Sequence, residues 1–381
     1  MARRIVILFA IVVALVGQAA SARPSLGIGR YIVTLRSSVS DPAAVARAHS
    51  LRFGARVTHV YSSALKGYSA SLPQALVASL LRDARVQSVV PDGIMRADTT
   101  QTGATWGIDR IDQHALPVNG SFTYTNTGAG VKIYVIDTGI LFSHSEFGGR
   151  ASSGVDEIDG GSADDCNGHG THVSGTAAGA TYGVAKQATL IAVRVLGCNG
   201  SGATSGVIAG VDWVTGNHQA GQPAVANMSL GGGGNSALDT AVRNSIADGV
   251  SYAVAAGNGN IFGFAANACN YSPSRVTEAM TVSATDNSDT KASWANFGNC
   301  VDWFAPGVGI TSAWNSSNTA TKTISGTSMA TPHTTGVAAL YLQTNTGASP
   351  AQVRDALFNL TTKGIVKSSR SVNANLLFTN L

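Results

Sequence analysis

Apolar and polar positions along the chain follow two rhythms. From Arg30 to about Asp98 the pattern is short and mixed. "RYIVTLR", "ARVTHVYS", "GYSASLP" and "VQSVVPD" have the composition of strands, and "DPAAVARAHSLRFG" and "QALVASLLRDA" the spacing of helices. This predicts a compact α+β unit ending in "GIMRADTTQTG", a polar stretch without periodicity that reads as an exposed linker.

Beyond Trp106 the rhythm lengthens. Apolar runs at "VKIYVID", "TLIAVRVL", "AVANMSL", "SYAVAAG" and "AMTVSA" alternate with helical segments such as "THVSGTAAGA", "TSGVIAGVDWVTGNH" and "ALDTAVRNSIADG". Strands that are apolar on both faces and alternate with helices imply a parallel sheet covered on both sides. The expected fold class is therefore α/β, a mostly parallel doubly wound sheet preceded by the small α+β unit. Ligands of such folds bind beyond the C-terminal ends of the strands, and "KIYVIDTGI" puts Asp137 at one of those ends.

Composition sharpens this picture at three points. Arg3-Arg4, the apolar run Ile5 to Val16 and the small residues Ala20-Ser21-Ala22 have the layout of a secretory signal over residues 1–22, too short to span a bilayer comfortably. The expected product is thus exported and extracellular, with no membrane partner. Formal charge is uneven. Residues 1–98 hold 12 Lys/Arg against 4 Asp/Glu, and residues 99–381 hold 13 against 17, so the second part is mildly acidic and offers no basic face to nucleic acid. Four cysteines, Cys166, Cys198, Cys269 and Cys300, are an even number in an exported chain and read first as disulfides.

Three stretches carry candidate chemistry. Asp137-Thr138-Gly139 could be half of a carboxylate pair, as in an aspartic protease, or could hold an Asp that orients a histidine. In "DDCNGHGTHVSGT", residues 164–176, His169 follows a Gly-rich turn and His172 lies three residues later. His-x-x-His can bind metal, but no Glu stands between them, and one of the two serves helix packing. In "TISGTSMATPH", residues 323–333, Ser328 sits before the apolar helix "GVAALYLQ", with Pro332 expected in its first turn. Alone, Ser328 is an ordinary cap. Together with a histidine base and a buried carboxylate it becomes a nucleophile, and the chain order Asp, His, Ser is one of the known orders for that constellation.

"VIDTGI", "NGHGTHVSGT" and "SGTSMATPH" resemble the three signature stretches of the subtilisin-like serine proteases. "DDCNGHGTHV", "YGVAKQATLIAVRVLGCNGSG" and "CVDWFAPG" resemble the proteinase K branch, aqualysin-type enzymes in particular. The likeness runs from about Thr99 to the C-terminus, and residues 30–98 resemble the inhibitory propeptide that precedes such a domain. The resemblance implies Ser328 as nucleophile, His169 as general base and Asp137 as orienting carboxylate, with Asn258 as the side-chain donor to the oxyanion. The aspartic reading fails independently, because a dyad needs two comparable sites and no second Asp-Thr-Gly or Asp-Ser-Gly occurs.

Further expectations follow from the same likeness. Gly200-Ser201-Gly202 and Ser229-Leu230-Gly231 would be the two edges that take a peptide as an added strand, although Gly232 to Gly234 also read as a flexible loop. Ala255-Ala256-Gly257 would line a primary pocket for apolar or aromatic residues, and the longer "GNIFGFAA" brings Phe262 and Phe264 near it. Cys166 would pair with Cys198 and Cys269 with Cys300. Structural calcium is implied at Asp302 with the carbonyls of Thr277 and Ala279, and, more weakly held, at Asp109, Asp112, Gln113, Asn119 and Ser121. Thr334 and Thr335 stand at helix positions usually apolar in relatives, where their hydroxyls would bond back to the helix.

The expected domains are a signal at 1–22, a propeptide at 23–98 that assists folding and inhibits, and a peptidase at 99–381, acting as a monomer on protein and peptide substrates. A non-catalytic binding protein would require the loss of Asp137, His169, Ser328 or Asn258, and all four are present. A processing protease for basic substrates would require acidic residues around "SLGGGG" and "AAGNGN", and none is there.

Overall fold

The structure, a computed structural model, describes residues 27–93, 99–260 and 263–381; the expected signal segment lies outside them, as do Asp98 at the expected cut and Phe262. The chain divides into two units, 1–96 and 97–381.

The first unit runs β1 (Ile28–Leu35), α1 (Pro42–Phe53), β2 (Arg56–Tyr61), β3 (Gly67–Pro73), α2 (Val77–Leu80) and β4 (Val86–Pro91), with an antiparallel sheet in the order β2-β3-β1-β4. This is the expected small α+β unit, and its element order and strand order are ferredoxin-like. The Asp41 carboxylate caps α1 by accepting from Ala44 N at 2.9 Å, and Pro42 fills the first turn where its missing N–H costs nothing. The second helix is much shorter than its apolar pattern suggested. Beyond it, Asp83 accepts from the Arg85 N–H at 2.9 Å, an alternative to helical bonding.

In the second unit, β5 (Thr99–Thr102) pairs antiparallel with β6 (Ser121–Tyr124), flanking α3 (Trp106–Ile111). The expected linker is thus corrected at its end: "TTQT" has a partner strand, which suits its β-branched threonines. There follow β7 (Lys132–Asp137), β8 (Ala151–Asp156), α4 (His169–Ala178), β9 (Thr189–Arg194), α5 (Thr204–Asn217), β10 (Ala224–Met228) and β11 (Gly232–Gly233). After these come α6 (Ser236–Asp248), β12 (Ser251–Ala255), β13 (Tyr271–Ser272), β14 (Met280–Thr285), β15 (Trp303–Pro306), β16 (Ile310–Ala313), β17 (Thr321–Ile324), α7 (Thr327–Thr344) and α8 (Pro350–Leu360).

Seven of these strands form one sheet, β15-β14-β12-β10-β7-β9-β8, parallel at every pairing. Side chains of β7 alternate between its faces. Ile133 and Val135 join Val173 of α4 and Val337 and Leu340 of α7, whereas Tyr134 and Ile136 join Val207 and Val211 of α5 and Val242 of α6. The chain leaves β7 toward β9 and β8, then returns to its other side for β10, β12, β14 and β15. The order therefore reverses at β7, and the crevice of a doubly wound sheet opens at that reversal.

Candidate active site

Asp137 is the last residue of β7, and its side chain is fully buried. The start of α4 is fastened to it by a residue the sequence reading passed over, Asp165. Its Oδ1 accepts from Asn167 N, Gly168 N and the Thr138 hydroxyl at 2.8–2.9 Å, and its Oδ2 from Thr171 N at 2.9 Å and Thr171 Oγ1 at 2.6 Å. Asp165 thus caps the free N–H groups of the helix that begins at His169 while holding the residue beside Asp137. Thr138 Oγ1 also accepts from Gly170 N at 2.9 Å. The chains approach so closely here that a Cβ on Gly170 would lie 2.1 Å from Gly139 O.

His169 Nδ1 consequently meets Asp137 Oδ1 at 2.7 Å, with the imidazole a quarter exposed to the cleft. A buried carboxylate at Nδ1 fixes the tautomer, leaving Nε2 as the basic nitrogen of the neutral ring. Burial pulls the His169 pKa down, but the charge and hydrogen bond of Asp137, with a smaller push from Asp165, outweigh it and raise the pKa above the ordinary value. His172 does not converge on this site. It is fully buried, its Nε2 bonds Ile310 O and Lys322 O at 3.1 Å, and burial pushes its pKa down to about 4.

Ser328 is the second residue of α7 and faces the same cleft as His169. Its hydroxyl donates to Ser229 O at 2.9 Å, and among the described residues no hydrogen bond joins it to His169. Pro332, expected in the first turn, lies one turn further into the helix. Asn258 is fixed by Thr327: its Oδ1 accepts from Thr327 N at 2.8 Å and from Thr327 Oγ1 at 2.9 Å, so the NH2 end of the amide remains for other partners.

Gly200, Ser201, Gly202, Ser229, Leu230 and Gly231 line one cavity with His169 and Ser328, of about 440 Å³. Ala255, Ala256, Gly257 and Asn258 line a second of about 210 Å³, together with Ser328. Among the described residues no Asp, Glu, Lys or Arg side chain lines either one. The floor of the smaller cavity is braced by Asn296, which donates to Ala256 O at 2.9 Å and accepts from Gly259 N at 3.0 Å. Gly257 has φ +98°, and a Cβ there would meet the Asn296 amide at 2.6 Å. Two loop expectations are corrected. Gly232–Gly233 is an ordered strand paired with Tyr271–Ser272. Phe264 lines neither cavity, and its side chain is 71% exposed.

The sequence profile of the subtilase family matches residues 128–375, and that of the peptidase inhibitor I9 matches residues 30–98. The chain belongs to the subtilase family. It is 58% identical over 325 residues to an extracellular serine proteinase of Thermus sp. (strain Rt41A), spanning 85% of this chain and 78% of that one. It is 49% identical over 333 residues to alkaline serine exoprotease A of Vibrio alginolyticus, spanning 86% of this chain and 61%, less than two thirds, of that one. The crystal structure of a cold-adapted subtilisin-like serine proteinase aligns at a TM-score of 0.70 and 52% identity, over 74% of this chain and all of the other.

Both disulfides of this subtilase join the cysteines the resemblance paired, Cys166 with Cys198 and Cys269 with Cys300. The first links the approach to His169 with the approach to Gly200, and Asn167 Nδ2 reinforces it by donating to Cys198 O at 2.9 Å. The expected calcium ligands fit a cation unequally. Among the described residues no three His, Cys, Asp or Glu side chains cluster as a metal site. Asp109 and Asp112 nevertheless lie close together, and Asp112 Oδ1 is buried without a partner. Burial and the charge of Asp109 raise the Asp112 pKa to about 6. Gln113 donates to Asp109 Oδ1 at 2.7 Å, and the Asn119 amide oxygen accepts from Ser121. A hard cation would satisfy that orphaned oxygen. Asp302 is already engaged, with Oδ2 accepting from Thr281 N at 2.7 Å and Oδ1 held by Arg354. Burial still raises its pKa beside that arginine, so its charge is incompletely offset.

Thr334 and Thr335 find partners beyond their own helix, and Thr335 also bonds back to it as expected, at 3.4 Å from Thr331 O. Trp303 Nε1 donates to Thr334 Oγ1 at 2.9 Å, and Thr335 Oγ1 donates to Asn227 Oδ1 at 2.9 Å.

Proposed function

We propose that this subtilase is an exported endopeptidase made as a zymogen. Residues 1–22 direct export, residues 23–98 assist folding and inhibit, and self-cleavage near Asp98–Thr99 releases 99–381 as a monomer. The 2.7 Å bond between buried Asp137 and His169, facing the cleft that holds Ser328, carries this reading. Placing the cut at or before Thr99 is supported by β5, which already pairs within the second unit.

In this mechanism a peptide adds as a strand between Gly200–Gly202 and Ser229–Gly231, with an apolar or aromatic side chain in the uncharged cavity lined by Ala255–Gly257. Ser328 Oγ leaves Ser229 O by rotation about χ1 and attacks the scissile carbonyl carbon as His169 Nε2 takes its proton. Asp137 holds the imidazolium. Asn258 Nδ2 and the Ser328 N–H, one of the donors a helix start leaves free, receive the developing oxyanion. His169 then protonates the departing amine, the acyl-enzyme forms on Ser328, and water activated by the same histidine releases it. Calcium, held by Asp109, Asp112, Gln113, Asn119 and Ser121 and by Asp302 with the Thr277 and Ala279 carbonyls, would supply structural charge compensation only.

The test is the intact mass of purified precursor, wild type beside Ser328→Ala, incubated without other proteases. Only the wild type is expected to split near residue 98. Splitting of the alanine variant would remove Ser328 as nucleophile, and an unsplit wild type would remove self-processing.

A further inference from the structure

We propose that Thr335, deep inside α7, is a positioning residue for the nucleophile, acting through a directed chain of hydrogen bonds to the Ser328 carbonyl. The inference rests on the reading of Ser328 as nucleophile.

The chain starts from a defect in the helix. In a regular α-helix the carbonyl of Ser328 would accept from the N–H four residues on, but that residue is Pro332, which has none. A carbonyl orphaned in the interior must find another donor. Ser229 Oγ supplies it at 2.8 Å, while Ser328 Oγ donates in return to Ser229 O at 2.9 Å. The nucleophile is thereby tied twice to the substrate-binding edge.

A hydroxyl has one hydrogen, so Ser229 can serve Ser328 O only if its other neighbour donates to it. That neighbour is Asn227, the fourth residue of β10 and fully buried, at 3.0 Å from Ser229 Oγ. For Nδ2 to face Ser229, Oδ1 must face the opposite way, and there Thr335 Oγ1 donates to it at 2.9 Å. A weaker approach to Thr331 O at 3.4 Å is the hydroxyl's other contact. Every member has one consistent role: Thr335 gives to Asn227, Asn227 to Ser229, Ser229 to Ser328. Without the threonine hydroxyl, Asn227 Oδ1 would be a buried acceptor with no donor, a costly state. Reversing the amide relieves it by turning Oδ1 toward Ser229. Ser229 would then donate to Asn227, and the Ser328 carbonyl would lose its partner.

Thr334 is the internal control. It is the adjacent buried threonine of the same helix, but its partner is Trp303 on the edge strand β15, and it takes no part in the chain.

The experiment compares Thr335→Val, Thr335→Ser and Thr334→Val in the matured enzyme. It measures kcat and KM on a peptide substrate, the rate of Ser328 labelling by a fluorophosphonate, and melting temperature. Expected are a fall in kcat and labelling rate of about tenfold for Thr335→Val with KM within about twofold, recovery in Thr335→Ser, and unchanged kcat in Thr334→Val. Wild-type kcat and labelling in Thr335→Val would overturn the proposal. Equal losses in both valine variants would also overturn it, as a packing effect. If the fluorophosphonate labels another residue in the wild type, the nucleophile reading itself falls, and this inference with it.

Discussion

Thr327 Oγ1 lies 2.9 Å from Asn258 Oδ1 and donates to it, while accepting from Gly257 N at 3.1 Å. With the Thr327 N–H on the same oxygen, the Asn258 amide cannot present Oδ1 to a bound peptide without breaking two bonds. Asn258→Leu is therefore expected to lower kcat by about 10²–10³ with little change in KM. Thr327→Val, which removes only one of the two bonds that set the amide, is expected to lose less. Steady-state kinetics of the matured proteins check both, and an Asn258→Leu variant with normal kcat would take Asn258 out of the oxyanion site.

The pH profile follows from the same kind of contact. His169 must be neutral to act as base, so activity rises as pH climbs through its pKa, and the raised pKa puts that limb above the ordinary imidazole value of about 6.5. Asp137→Asn removes the dominant raising cause. The acid limb of kcat/KM should move to lower pH, with kcat down by about 10⁴ because the tautomer is no longer held.

Acid stability is set by other histidines. His172 and His333 are buried, with pKa pushed down to about 4, against about 6.5 in the unfolded chain. As pH falls the unfolded chain takes up protons first. Their contribution is full above about pH 6.5, is lost progressively toward pH 4 and levels off below. Urea midpoints of the Ser328→Ala protein across this range should show the fall, and His172→Gln should flatten it.

The Cys166–Cys198 bond closes a loop of 32 residues. The double serine variant should lose about 3–4 kcal/mol on the chain-entropy account. It should also raise KM, because the bond joins the segments leading to His169 and Gly200.

Chelation of calcium should lower the melting temperature, and Asp112→Asn should shrink that difference. An unchanged melting curve in chelator would dispose of the calcium assignment. Equal sensitivity in Asp112→Asn would dispose of this ligand set.

The framework was legible where chemistry is local. The five inner strands announced themselves as apolar runs, and Asp137, His169 and Ser328 lay in short motifs beside the turns that expose them. The two edge strands did not. "ASSGVD" of β8 is mostly polar, since an edge needs less apolar surface than a strand enclosed between neighbours, and "WFAP" of β15, although apolar and buried throughout, is only four residues. Also hidden were the residues that work through distant partners. Asp165 reads as one more acidic residue in a polar loop, and Thr335 as a misfit in an apolar helix. Its partner Asn227 stands 108 positions away, and nothing in either neighbourhood points to the other.

The parallel sheet imposes an order of assembly on the chain. β10 holds the centre of the sheet, but it begins at Ala224, three crossovers after its partner β7, and Lys132 faces Ala224 in the register. Such pairing gives no return on the entropy of closing the intervening loop until both strands exist, and long-range parallel pairing of this kind in general folds slowly and favours intermediates with bare strand edges. For an enzyme that digests exposed backbone, those intermediates are themselves substrate.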